Sequence, residues 1–126
     1  MEEKKSMTIE QLLEAMTTEM RRSPETMVLL SEVNENAVFE HVANRKFAMS
    51  GEHIPQKYKI LMSLAAAAAM GSEKCLNNYT NAAIKNGISK EEIVEALIIT
   101  RFVKASSVMS SATDALRMLS NIKLCE

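Results

Sequence analysis

Apolar residues in this chain recur every three to four positions, and the interruptions fall at glycine, proline and short polar clusters. Ile9, Leu12, Leu13 and Met16 make the apolar stripe of a first helix starting from Thr8. A second helical region follows Ser23, read as an N-cap with Pro24 at the first helical position. It breaks near "NEN" and continues through Val38, Phe39 and Val42. "SGEH" reads as a loop, Pro55 to Met70 as a long helix, and Ser72 to Asn86 as the next. Gly87 suits a left-handed helix stop, and Ser89 with Glu92 forms a capping box opening a helix to about Ser106. A last helix is expected from about Ser107 to Ile122, with Val108, Ala112, Ala115, Leu116 and Leu119 on one side. The segments are rich in Ala, Leu, Met, Glu and Lys and lack strand-like alternation, so the expected class is all-α.

One predicted helix is unlike the others. "EEIVEALIITRFVKA" is apolar around most of its circumference between Ile93 and Val103, as a helix covered on several sides would be. In a chain of 126 residues, a second subunit is a ready cover; the alternative is the central helix of a monomer. Arg101 and Lys104 on it are available to pair with carboxylates or to bind an anion. The alanines from Ala65 to Ala69 let neighbouring helices approach closely.

Composition narrows the possibilities further. The length fits one domain with a core of its own. Fifteen Lys and Arg against sixteen Asp and Glu leave a formal net charge of −1, so no charge excess recruits nucleic acid or an anionic membrane. The longest apolar run, "ILMSLAAAAAMG", is shorter than the roughly 20 residues of a spanning helix. "MEEKKSM" lacks a signal peptide's apolar segment, and the expected location is cytoplasmic. Cys75 and Cys125 lie too far apart for a disulfide framework, which agrees with a reducing compartment. No His, Cys or carboxylate cluster reads as a metal site, and no cofactor is indicated. His41 has no partner at catalytic spacing, and His53 precedes a helix that places it about 24 Å from Cys75 within one protomer. The ten methionines fall largely at apolar helical positions and read as core filling.

The chemistry concentrates in "GSEKCLNNY", Gly71 to Tyr79, at a predicted helix start. Together with "IPQKYKILMSLAAAAAMG" before it and "KNGISKEEIVEAL" and "SATDALRML" after it, this stretch resembles the carboxymuconolactone decarboxylase and alkyl hydroperoxidase D family. The resemblance runs from Ile54 to Leu119, and it divides the chain into N-terminal helices (1–53) and a family-like core (54–126). It implies an all-α domain built on an antiparallel helix hairpin that assembles as a homo-oligomer, a trimer or hexamer. The family's C-x-x-C-x-x-x-H motif is mostly replaced here. Ser72 stands at the first cysteine, Cys75 matches the second, and Tyr79 stands at the histidine. The family's glutamate in the preceding helix falls on Ile60. If two helices fold back on each other at Gly71, Tyr79 about eight residues beyond it and Ile60 about eleven before it come within about 4.5 Å of the same level.

Cys75 alone retains redox capacity. In the first turn of its helix, the positive end of the dipole favours thiolate over thiol, and the family's second cysteine is the one that attacks peroxide. Tyr79 or Asn78 is placed to donate a hydrogen bond to the displaced oxygen. Ser72 cannot form a disulfide, so turnover requires an external thiol or Cys125 of a neighbouring subunit. The resemblance therefore implies a single-cysteine thiol peroxidase acting on a small peroxide or disulfide. Three readings remain open from the residues themselves. The stretch can be a plain helix start in which Ser72 caps with its hydroxyl and Cys75 is a small buried hydrophobe. The chain can be a non-catalytic oligomeric binding or scaffold protein. Lactone-acid decarboxylation is the third, although Ile60 and Tyr79 replace the ionisable groups it needs.

Overall fold

A computed structural model describes residues 6–122, in which Cys125 does not fall. Among the described residues the chain is all-helical: α1 (Ile9–Met20), α2 (Glu25–Val33), α3 (Glu35–Met49), α4 (Gln56–Met70), α5 (Glu73–Lys85), α6 (Lys90–Ser111) and α7 (Thr113–Ser120). The helices group into two compact units, the first ending at Gln56 and the second beginning at Lys57. None of the helices is long and apolar enough to cross a membrane.

The first unit is organised by the stripes expected of it. Ile9 and Leu12 of α1 and Val38 of α3 are buried together, with Leu13, Met27, Leu30, Phe39 and Val42 packed against them. Thr8 opens α1 with a reciprocal capping box to Gln11. The start of α2 differs from expectation by one residue: Pro24, not Ser23, is the N-cap. Its carbonyl accepts from the amides of Met27 and Val28, at 2.9 and 3.0 Å, and so already serves the first helical turn. Asn34 is the break within "NEN". Its extended backbone stops α2, and its side chain accepts from the Ala37 amide to start α3.

In the second unit Ile60, Leu64, Ala83, Ile88 and Ile93 form the buried cluster, drawn from α4, α5, the turn after it, and α6. Leu61, Leu76, Tyr79, Ala82 and Leu97 pack on its margin. Two contacts set α4 against α6. Lys57 at the start of α4 pairs with Glu92 in the first turn of α6. Farther along, Lys104 Nζ donates to the Ala69 carbonyl at 2.9 Å. Both link residues with the same sequence offset, so the two helices run side by side in one direction. Lys104, expected to pair with a carboxylate or an anion, instead caps the end of α4.

The helix break expected at Ser106 and Ser107 does not occur; α6 continues to Ser111 and α7 starts at Thr113. The serines do not interrupt it because their hydroxyls bond back to carbonyls one turn earlier. Ser107 donates to Lys104, Ser110 to Ser106 and Ser111 to Val108, at 2.6 to 3.0 Å. The apolar stripe expected on the last helix exists but is uncovered: Val108, Leu116 and Leu119 are each more than half exposed.

Candidate functional site

The site begins where α4 ends. Gly71 takes a left-handed φ of 71°; its amide bonds the Ala68 carbonyl at 3.1 Å and the Ser72 amide bonds that of Ala67 at 3.0 Å. These are the paired bonds of a Schellman stop, and a side chain at Gly71 would strain the backbone that makes them. Ser72 is then the N-cap of α5, and the Leu76 amide closes the first turn onto its carbonyl at 2.9 Å.

The expected capping role of the Ser72 hydroxyl is not observed: its side chain makes no cap hydrogen bond. The backbone explains this. Ser72 has a ψ of 90°, against 154° at Ser89, which does cap its helix. Ser72 is at once the last residue of the Schellman stop and the first of the next helix. Its conformation therefore serves the turn before it.

Cys75 lies three residues beyond this cap and is exposed. The reading of Cys75 as a small buried hydrophobe is thereby overturned. The apolar positions of α5 that enter the core are Leu76, Tyr79, Ala82 and Ala83; Cys75 precedes the first of them and stays outside. Tyr79, one turn on, is half-buried against the core cluster. Ile60 belongs to that cluster and is 2% exposed. Asn78 is half-buried on α5 beside Tyr79. Of the predicted site residues, Tyr79 and Ile60 are brought together, Tyr79 packing on the apolar cluster to which Ile60 belongs. His41 on α3 and His53 in the loop before α4 are exposed and lie in the first unit.

Gly87, with a φ of 72°, terminates α5 by the same pair of bonds, Gly87 to Ile84 and Ile88 to Ala83. Ser89 then forms the expected capping box with Glu92. The Lys57 hydrogen bond, reinforced by the Ser89 amide, holds the Glu92 carboxyl below its ordinary range, while the Lys57 ammonium is held above its own. What sequence reasoning missed was Lys104 closing the α4 end of this unit. No signal in the sequence marks that contact, because it joins residues 35 positions apart on different helices.

Among the described residues, no group of three or more His, Cys, Asp or Glu side chains is placed to hold a metal ion. The chemistry the arrangement can perform is that of one accessible thiol at the positive end of a helix, with a phenol one turn away. A comparison with protein families matches residues 36–118 to a family described as the carboxymuconolactone decarboxylase family. The matched region reaches back into α3, beyond the stretch whose motifs carried the resemblance. No curated protein matches the chain.

Proposed function

The chain belongs to the carboxymuconolactone decarboxylase family, and from this premise we propose that it is a single-cysteine thiol-dependent hydroperoxide reductase acting through Cys75. The exposure of Cys75 in the first turn of α5 is the observation that supports the reading. A reacting thiol must reach its substrate, and Cys75 is exposed.

In the proposed reaction the Cys75 sulfur attacks the outer oxygen of the hydroperoxide. The O–O bond breaks, sulfur is oxidised to the sulfenic acid, and the alkoxide leaves as an alcohol after taking a proton. Tyr79, with Asn78 beside it, donates a hydrogen bond to that departing oxygen. Two molecules of an external thiol then complete the cycle: the first forms a mixed disulfide with loss of water, and the second releases Cys75 as the thiol. Ser72 supplies no electrons and acts only as the residue that starts the helix. The protein is proposed to work in the cytoplasm as a homo-oligomer, a trimer or hexamer, with α4 and α5 as its helix hairpin. The large apolar side chains left exposed on α6 and α7 support the assembly.

The buried Ile60 favours a second reading. Where a carboxylate would move protons to and from a thiol, this chain has an apolar core residue 2% exposed. That substitution fits a non-catalytic oligomeric binding protein that keeps the fold without the redox cycle.

Trapping separates the two. A Cys125→Ser protein treated with one equivalent of hydroperoxide should yield a dimedone adduct on Cys75 and consume the peroxide, and a Cys75→Ser protein should do neither. Equal peroxide consumption by both proteins, with no adduct, would leave the binding protein as the surviving reading.

A further inference from the structure

Two helix ends of opposite sign meet beside Cys75. α4 closes at Met70 and α5 opens at Glu73, with Gly71 and Ser72 alone between them. Three Cα steps separate the last residue of one helix from the first of the other, a span of no more than about 11 Å. Each end carries about half an elementary charge, negative where α4 stops and positive where α5 starts. The negative end of α4 therefore opposes what the positive end of α5 offers to an anion in its first turn, where Cys75 stands.

A cation sits on the opposing end. The last four carbonyls of a helix have no partner within it. In α4 those of Ala67 and Ala68 accept from the amides of Ser72 and Gly71, at 3.0 and 3.1 Å, and that of Ala69 accepts from Lys104 Nζ at 2.9 Å. The two amides satisfy their carbonyls without adding a net charge. Lys104 brings a whole positive charge to the negative end from 35 positions along the chain. α4 itself has no charged side chain beyond Lys59 with which to do this. Of the other ionisable groups here, Glu73 and Lys74 precede Cys75 with opposite charges, and Tyr79 follows it on α5. On α6 Arg101 lies one turn before Lys104, and on α7 Asp114 pairs with Arg117.

We propose that Lys104 is a positioning residue for the Cys75 thiolate: it offsets the negative end of α4, so that the positive end of α5 acts on the sulfur unopposed. This rests on the reductase reading above for what the thiolate attacks. The effect passes through the helix end and needs no contact between the two side chains. Because it is a charge effect across solvent-exposed groups, it is felt in dilute salt and fades at 1 M, where the screening length is about 3 Å.

Alkylation of Cys75 by neutral iodoacetamide tests it in a full-length Cys125→Ser background. At pH 7 and 0.01 M salt, where the screening length is about 30 Å, Lys104→Met should react about threefold more slowly than the parent. Lys104→Arg should keep the parent's rate because it keeps the charge. Lys104→Gln should match Lys104→Met, because an amide donates a hydrogen bond without charge. The gap should close at 1 M sodium chloride. Lys104 is exposed, so all three variants should retain the parent's helicity by circular dichroism, and either neutral variant serves if the other fails to fold. Equal rates in dilute salt, or an arginine variant as slow as the methionine one, would overturn the proposal. A gap that persists at 1 M, or a glutamine variant that reacts like the parent, would overturn it by making Lys104 a structural tie only. Hydroperoxide consumption by the parent is measured alongside. Rates that divide as expected in a protein that consumes no hydroperoxide would uphold the effect of Lys104 and sink the reductase reading alone.

Discussion

The two ends of α5 are built from the same parts and finish differently. Before it stand Gly71 and Ser72; after it stand Gly87, Ile88 and Ser89. Both glycines adopt a φ near 70°, and both helices entering them stop with the same pair of backbone bonds. The difference is one residue. After α5, Ile88 completes the stop and Ser89 is left to cap α6. Before α5, Ser72 must do both. Its amide is already bonded to Ala67, so no side chain at position 75 can return to it as Glu92 returns to Ser89. The position that holds a capping glutamate in one junction thus holds an exposed cysteine in the other. A helix start with no side chain committed to it is what an accessible thiol at a dipole's positive end requires.

The strongest way to break this comparison is to make the second junction polar like the first. Ile88→Ser places a hydroxyl where a side chain 6% exposed enters the core cluster, and it should cost about 3 kcal/mol by urea denaturation. The next contrast concerns the caps. Ser89→Ala should lose about 1 kcal/mol, since the hydroxyl that accepts from the Glu92 amide goes with it, whereas Ser72→Ala should shift stability by only a few tenths. Equal losses at the two serines would mean that Ser72 caps after all. The smallest effect is electrostatic. Glu92 is held below its ordinary range by Lys57 and Ser89, so its contribution is present above the unfolded carboxyl's range and is lost as pH falls through the folded one. Lys57 is held above its range, so its share is present below the unfolded lysine's range and is lost only as strongly alkaline pH is reached. Glu92→Gln should flatten the acid limb of a stability-against-pH curve.

Much of the second unit could be read from residue types, because its boundaries are set by local chemistry. The glycine stops at Gly71 and Gly87, the capping box at Ser89 and the apolar spacing of α5 each depend on residues within one or two turns. The cysteine's place three residues after a helix start was equally legible, since it follows from counting. Its exposure was not, because spacing leaves a residue at the edge of the buried face undecided, and Leu76, one residue on, took the inward position. The end of α6 was misjudged for a similar reason. Ser106 and Ser107 resemble a stop, yet the hydroxyl of Ser107 bonds back into the helix it was expected to end.

Sequence alone determined the helical class, the family, the helix junctions at Gly71 and Gly87 and the place of Cys75 in the first turn of α5. All of these rest on short-range backbone preference or on the order of a few side chains. Only the tertiary structure decided which apolar faces are covered, that α4 and α6 run in one direction with Lys104 closing the end of α4, and that α7 stands uncovered. Those outcomes depend on pairings between residues distant along the chain. An apolar stripe records that a surface seeks cover, and it takes the packed molecule to show whether its own chain provides it.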